Sequence, residues 1–357
     1  MNLQKRIDAL ARLGYFMRET AKPLPNPVFA NLQEQNSFDK LELEICQAKN
    51  YNGWFTENNV RQAIGSLGEA MTKEKLKKWA VRYGDKLINY EGRMQVGLVM
   101  AGNIPAVGFH DLLCVLLTGN KALVKMSSGD NRLIPALIQL LIAISPDFDG
   151  VASFTNNRLT GFEAIIATGS NNASRYFQFY FGKYPHIIRK NRNGVAVLTG
   201  RETSDELSGL SLDISAYYGL GCRNVTHLFV PEQYDFIPLL DTLSQNNQNA
   251  DNSHYFNNYE YHKAILLVNG TTHFDTGGLL LTENPAISSS VSIVHYSTYH
   301  NIEQLSSYLK TLQDQIQCVV SNPEIIPHVI PMGTSQQPEL WDYADGIDTI
   351  DFLLNIS

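Results

Sequence analysis

The sequence predicts an α/β fold made of two lobes with parallel sheets, and three observations carry that prediction. At 357 residues the chain is longer than a single hydrophobic core usually serves. From Met94 onward, short runs rich in valine, leucine and isoleucine alternate with helical patterns, as parallel strands covered on both faces require. In the second half, Gly219-Leu220-Gly221-Cys222-Arg223-Asn224 places a glycine-flanked cysteine between a helical run and a strand-like run.

Residues 1–91 read as mostly helical. Leu3, Ile7, Leu10 and Leu13 share one face, and Leu76, Trp79, Ala80 and Tyr83 form a later stripe. Between them, Lys22-Pro23-Leu24-Pro25-Asn26-Pro27 is an extended, helix-breaking connector. Met94 to Ala101 predicts a strand, Gly102-Asn103-Ile104-Pro105 a turn opening a helix, Gly119 the end of that helix, and Lys121 to Met126 the next strand. A helix over Leu133 to Ile144 and a strand over Ala164 to Ala167 follow. Thr168-Gly169-Ser170-Asn171-Asn172 then opens a helix from Ala173.

In the second lobe, Leu207, Leu210, Ile214 and Tyr217 recur at helical spacing within Ser204 to Tyr218, and Val225 to Val230 reads as a buried strand. A helix from Tyr234 to Leu243, a polar loop over residues 245–249, a strand over Val291 to His295, a helix over Ile302 to Leu312 and a strand over Gln317 to Val320 continue the alternation. The tail is turn-rich and closes on an apolar segment, Ile347 to Leu354, suited to pairing with another element or another subunit.

Composition excludes several functions. Apolar residues make up 44% and charged residues 18%, which is ordinary for a globular enzyme. A net charge of -7, without a stripe of lysine or arginine, argues against nucleic acid as a partner. Met1 to Met17 lacks the continuous apolar segment of a secretory signal, so a cytoplasmic location is expected. The longest apolar run, Leu133 to Ile144, is too short to span a bilayer. Four scattered cysteines suggest neither a disulfide framework nor a zinc site, and nine histidines form no ligand motif, so no metal is expected.

Two stretches are candidates for chemistry. Cys222 sits at a turn whose glycines permit backbone conformations closed to other residues, leaving room for a carbonyl to reach the sulfur and nearby N–H groups. The alternative is a buried cysteine with no chemical role. Thr168-Gly169-Ser170 precedes a helix whose first N–H groups attract an anion such as a pyrophosphate, with a simple helix cap as the alternative. The Gly-x-Gly-x-x-Gly fingerprint and the phosphate loop are both absent, so a nucleotide site would be built differently.

Three separated stretches together resemble the aldehyde dehydrogenase superfamily. They are Gly102-Asn103-Ile104-Pro105 with Gly119-Asn120 and Lys125-Met126-Ser127-Ser128, then Ala167-Thr168-Gly169-Ser170, then Gly221-Cys222 with Phe229-Val230. The likeness spans roughly residues 92 to 325. Within it, Lys125-x-Ser127-Ser128-x-Asp130, the stretch Arg189 to Arg192 and Tyr218-x-Gly-x-Gly-Cys222-Arg223-Asn224 are similar to the acyl-CoA reductase branch, the fatty acyl reductase subunits of bacterial luminescence systems. The resemblance implies an aldehyde dehydrogenase-like fold with a helical region over 1–91 packed on the cofactor lobe, a nucleotide-binding domain over 92–198, a catalytic domain over 199–330 and an oligomerisation tail over 331–357.

It also implies a mechanism. Cys222 attacks the carbonyl of an acyl-CoA or acyl-carrier thioester, and Asn103 and the Cys222 N–H stabilise the oxyanion. The competing reading of Asn103 is a cap for a helix beginning at Pro105. Lys125, Ser127, Ser128, Thr168, Gly169, Ser170 and Glu283 are the implied cofactor contacts, with Glu283 on the nicotinamide ribose. Ser128 stands where members strict for NAD carry a glutamate, which favours NADPH over NADH. The residues around Ile187 to Asn191 lack the glutamate with which hydrolytic relatives activate water, which favours thioester reduction. Other implied readings are a non-catalytic assembly partner of an acyl-activating enzyme and a hydrolytic aldehyde dehydrogenase. A homo-oligomer and an acyl-protein synthetase-type partner are the implied associations. The aromatic run Tyr176 to Phe181 is read as core and interface packing or as the lining of an acyl channel.

Overall fold

A computed structural model describes residues 1–324, 326 and 329–356, without the side chains of 247 and 248. The chain divides into two compact units: Met1–Lys190 together with the tail from Gln337, and Asn191–Gln336.

The first unit opens with five helices, α1 (Leu3–Thr20), α2 (Leu32–Tyr51), α3 (Glu57–Ala70), α4 (Lys73–Val81) and α5 (Gly84–Ile88). The side chains of Asn2, Asn31, Thr56 and Thr72 cap the first four, each accepting from a backbone N–H three residues on. The sheet follows: β1 (Gln95–Val99), α6 (Phe109–Thr118), β2 (Lys121–Lys125), α7 (Leu133–Ile144), β3 (Ala152–Thr155), β4 (Ala164–Thr168), α8 (Asn171–Phe181) and β5 (His186–Arg189). All five strands are parallel, in the order β3-β2-β1-β4-β5. The N-terminal helices pack on this layer, α1 and α2 both meeting α7, and Leu10, Leu13, Phe16, Leu41 and Ile45 join one core with Leu137 and Leu140.

The second unit contains β6 (Asn193–Val197), α9 (Ser204–Ser215), β7 (Val225–Pro231), α10 (Ile237–Gln245), α11 (Ser253–Val268), β8 (His273–Asp275), β9 (Leu280–Glu283), β10 (Ile293–Tyr299), α12 (Ile302–Thr311) and β11 (Ile316–Val320). Its sheet runs β11-β6-β7-β10-β9-β8, parallel except for the β8 edge. Two apolar clusters cover its faces, one around Leu210, Leu228 and Leu239, the other around Val195, Phe229 and Leu305.

Several expectations from the sequence need correction. The boundary between the units falls at Lys190/Asn191 instead of 198/199, because β6 pairs with β7 and β11 of the second sheet. Residues 331–336 stay with the second unit, and from Gln337 the tail belongs to the first. There its last helix, α13 (Thr349–Asn355), packs on α6 and buries Ile350, Leu353 and Leu354. Tyr343 receives a hydrogen bond from the Trp79 indole at 2.7 Å, and Tyr83 donates to Asp348. Of the apolar segment expected to pair with another element or another subunit, Ile350, Leu353 and Leu354 fill this unit's own core. The polar stretch 245–249 is the end of α10 and a short 3-10 turn, not a loop.

Candidate functional site

The candidate residues fall into two groups, one in each unit. In the first, β1, β2 and β4 are adjacent and parallel, so the segments leaving their carboxyl ends emerge at one edge of the sheet. Asn103 follows β1, Lys125 ends β2 with Ser127 and Ser128 just beyond, and Thr168 ends β4 ahead of Gly169 and Ser170. Succession from β1 to β2 runs one way across the sheet and from β1 to β4 the other. The edge between β1 and β4 is thus a topological switch point, where open parallel sheets bind their ligands.

Locally, each turn has a physical cause. The Ser170 side chain accepts from the Ala173 N–H at 3.2 Å and caps α8, while the helix itself starts at Asn171, two residues before the expected position. A Cβ on Gly169 would lie 2.9 Å from that of Ala173 and 2.8 Å from the Phe177 ring, so this position must lack a side chain for the turn to close on α8. The helix after Asn103 starts at Phe109, not Pro105, with Gly108 as its N-cap; Asn103 is an exposed bend residue and does not cap it. The delay has a visible source in Ala106, held at φ 54°, whose N–H donates to Asp130 Oδ2 at 2.7 Å. Asp130 is buried, which raises its carboxyl above the usual range against the opposing pull of the Ala106, Leu133 and Arg132 N–H groups. Sequence reading had Asp130 only as part of a motif, and its work is to pin the Asn103 loop to the end of β2.

Arg189 ends β5 and is buried. Its Nη2 and Nε donate to the two oxygens of Asp111 at 2.8 and 3.2 Å, and Nη2 also donates to Thr349 Oγ1 at 2.8 Å. Burial by itself raises Asp111, but the guanidinium beside it holds the carboxyl below the usual range. Arg189 thus joins β5, α6 and the tail. On α8, Phe177 and Phe181 stack on each other, whereas Tyr176, Phe179 and Tyr180 are exposed, Phe179 by 82%. Of the run read as core and interface packing or as the lining of an acyl channel, Phe177 and Phe181 are half-buried and the other aromatics are exposed.

In the second unit, Cys222 lies just before β7, at the amino-terminal edge of that strand. The turn ahead of it is unusual. Tyr217 (φ 50°, ψ 32°), Tyr218 (φ 60°, ψ 23°) and Gly219 (φ 75°) follow one another in the left-handed region, which costs roughly 1–2 kcal/mol for each tyrosine. Gly221, credited from sequence with the same freedom, is not among the positive-φ residues; its N–H donates to Asn224 Oδ1 at 2.8 Å. Gly194, at the start of β6, lets this turn approach, since a Cβ there would come within 2.7 Å of the Arg223 carbonyl oxygen.

Burial distinguishes the cysteines. It pushes the Cys318 thiol up to about 12 and raises Cys114 well above its ordinary value, so neither forms a thiolate near neutral pH. Cys46 is exposed on α2, and Cys222 is half-buried on its turn. Glu283 ends β9, exposed, in register with Tyr296 of β10 and through it with Leu228 of β7. It is therefore level with the middle of β7, two strands away, and the structure does not bring it beside Cys222.

Sequence reading had Asn224 only as part of a motif and missed Asp213, whose backbone partners Gly333 and Ser335 are remote in sequence. Asp213 accepts from the Gly333 and Ser335 N–H groups at 2.6 and 2.9 Å, and burial raises its carboxyl. Among the described residues no cluster of three or more His, Cys, Asp or Glu is placed to hold a metal, and no helix is long and apolar enough to cross a membrane.

The edge of the first sheet fits a dinucleotide. It offers an ammonium at Lys125, hydroxyls at Ser127 and Ser128, and the N-terminal N–H groups of an 11-residue helix at Ser170. Similar architectures occur in aldehyde dehydrogenase 21 from Physcomitrella patens, solved with its product succinate (TM-score 0.59, 11% identity, covering 88% of this chain and 76% of that one). The NAD-dependent benzaldehyde dehydrogenase of Corynebacterium glutamicum gives 0.57 at 12% identity, over 87% and 76%. The indole-3-acetaldehyde dehydrogenase of P. syringae, solved with NAD+, gives 0.53 at 13%, over 89% and 76%. At such identities the likeness is one of fold, and the fold is aldehyde dehydrogenase-like. A search of curated protein sequences finds no match. Residues 16–229, more than half the chain, match the acyl-CoA reductase (LuxC) family, whose pattern takes in both the Asn103 loop and the Cys222 turn, and the chain belongs to that family.

Proposed function

We propose that this chain reduces a fatty acyl thioester, with a long acyl chain, to the aldehyde with NADPH, through an acyl group carried on Cys222. Membership of an acyl-CoA reductase family and an aldehyde dehydrogenase-like fold support an aldehyde-forming acyl reductase. The observation that carries the finer reading is the left-handed run Tyr217–Gly219 immediately before Cys222. Strain of this kind persists only where the surroundings over-determine it, and it gathers at reactive sites.

In this reading the Cys222 thiolate adds to the thioester carbonyl, the new S–C bond forms, and the tetrahedral intermediate expels the donor thiolate. The Cys222 N–H donates to the developing oxyanion. Asn103 is the second donor, an assignment resting on the family and on its exposed bend position, which is not a helix cap. A dinucleotide, when bound, would supply a hydride for the acyl carbon. Cys222 then leaves as thiolate when the resulting thiohemiacetal collapses, and the aldehyde is released. Lys125, Ser127, Ser128 and the start of α8 would hold the dinucleotide, and Ser128 would leave its adenosine ribose free to carry a 2′-phosphate. Around β5, no carboxylate occurs between Ile187 and Asn191, and Arg189 there is committed to Asp111, so nothing in that stretch activates water to hydrolyse the acyl group.

The test follows NADPH absorbance on adding a long-chain acyl-CoA to the full chain, with Cys222→Ala beside it and NADH at equal concentration. Oxidation by the wild type alone, faster with NADPH, is the expected result. A strong preference for NADH contradicts the reading of Ser128. Oxidation retained in Cys222→Ala, or absent in both across acyl lengths and cofactors, overturns the Cys222 mechanism.

A further inference from the structure

We propose that Asn224 is a positioning residue that holds the Tyr217–Cys222 turn, with its left-handed run Tyr217–Gly219, in place and so fixes where the Cys222 sulfur stands. This deepens, and rests on, the reading of Cys222 as nucleophile. Asn224 is fully buried. Its Nδ2 lies 3.0 Å from the Asp213 carbonyl oxygen, 3.3 Å from that of Ile214 and 2.8 Å from that of Ala216, while its Oδ1 accepts from the Gly221 N–H at 2.8 Å. The orientation of the carboxamide is dictated by these partners, because carbonyl oxygens only accept and an N–H only donates.

One side chain therefore spans both sides of the strained segment. Its donors satisfy carbonyls at the end of α9, which a helix terminus leaves without intrahelical partners. Its acceptor takes the N–H of the residue immediately before Cys222. Tyr217–Gly219 lies between these two anchors, and the Asn224 backbone is itself tied to β6, its carbonyl accepting from the Gly194 N–H at 2.9 Å. Side-chain burial of Tyr217 and Tyr218 packs the turn, and Asn224 sets its path.

Aspartate is nearly isosteric, keeps an acceptor for Gly221 and turns the donors into an oxygen facing three carbonyls. Hydrogen exchange on the full chain then reads the turn without substrate. In Asn224→Asp the amides of residues 217–222 are expected to lose protection by about tenfold, while those of Leu228–Val230 in β7 keep theirs. Lowering the pH from about 8 to about 5 restores part of that protection, because the protonated carboxyl regains an O–H donor. Single-turnover acylation of Cys222 by a long-chain acyl-CoA, located by peptide mass, falls about a hundredfold in the same variant, with an unchanged KM for NADPH.

Wild-type exchange rates in a folded Asn224→Asp overturn the proposal. If that variant does not fold, the wild-type Gly221 amide decides: slow exchange supports the proposal, and exchange at the unprotected rate overturns it. A protected turn in a wild type that takes up no acyl group overturns the nucleophile reading and leaves the anchoring of the turn supported.

Discussion

In the first unit the loop carrying Asn103 is pinned by a carboxylate, Asp130, whereas in the second the turn carrying Cys222 is pinned by a carboxamide, Asn224. Each accepts from one backbone N–H in a segment containing a non-glycine residue at positive φ. They differ in what else the backbone presents. Around Asp130 the remaining groups are N–H donors, and an acceptor-only side chain suffices. Around Asn224 three carbonyls converge, and the side chain must donate as well. A similar contrast extends outward. Arg189 and Asp111 secure the first unit through a buried ion pair, while in the second His227 and His295 both approach the Ala286 carbonyl, at 3.0 and 2.8 Å, just after Glu283. A carbonyl only accepts, so Nδ1 carries the proton in both rings. Asp213, a carboxylate of the second unit that receives two N–H groups, follows the same rule as Asp130.

Breaking the ion pair is expected to have the largest effect. Arg189→Met leaves Asp111 without its guanidinium partner, and such losses destabilise by about 3–5 kcal/mol. Hydrogen exchange should place the damage in β5, α6 and α13, with the amides of β6 and β7 unchanged. Equal loss of protection in β6 and β7 would refute the assignment of this pair's effect to the first unit.

The next effect reads the second unit through pH. Burial drops His227 to about 4, with the Ala286 carbonyl opposing and His295 reinforcing the shift, and burial lowers His295 as well. Because the folded value lies below the ordinary 6.5, the unfolded chain binds the additional proton in between. Stability is therefore present above about pH 6.5 and is lost as pH falls toward 4, by roughly 3 kcal/mol for His227. His227→Asn keeps a donor near the Nδ1 position and removes the titration, so urea unfolding of β7 should lose most of this acid sensitivity. A variant as acid-sensitive as the wild type would assign the effect elsewhere.

Exchanging the two pins sharpens the contrast. Asp130→Asn retains an oxygen for Ala106 and replaces the acceptor that faces the Leu133 and Arg132 N–H groups, of which the Leu133 bond is long at 3.4 Å, so a loss of about 1 kcal/mol is expected. If Asp130→Asn lowers the melting temperature as much as Asn224→Asp, the distinction between acceptor-only and mixed pins fails.

Legibility followed the same line. α7 coincides with the apolar run Leu133 to Ile144, and α9 starts at a capping box, Thr203 with Glu206, because residues within a few positions of each other determine both. By contrast α11 was missed: Tyr259, Tyr261, Ile265, Leu267 and Val268 surround it without a helical period. The strands β5 and β6 were missed because only three residues separate them although they belong to different sheets. Of the candidate site, the residues at the carboxyl edge of the first sheet were readable from turn chemistry. The left-handed tyrosines were not, since local preference opposes that conformation and the groups that impose it, Asn224 and the carbonyls of α9, act across the turn.

The smallest expected effect separates two roles at Ser170 that sequence alone left as alternatives. As the N-cap of α8 its oxygen serves Ala173, and as part of the proposed pyrophosphate site it stands where an anion meets the helix. Ser170→Ala removes the cap and should cost about 1 kcal/mol of stability. Ser170→Asp preserves the cap and adds favourable charge to the helix, yet places a carboxylate where the pyrophosphate would bind. An interaction of about 0.3–1 kcal/mol at a helix end corresponds to a KM for NADPH raised only a few-fold, with a melting temperature no lower than that of the wild type. Melting and KM then move in different variants, Ala for the first and Asp for the second. If Ser170→Asp binds NADPH as the wild type does, the start of α8 is a cap alone and the dinucleotide must be held elsewhere along the edge, at Lys125 and Ser127.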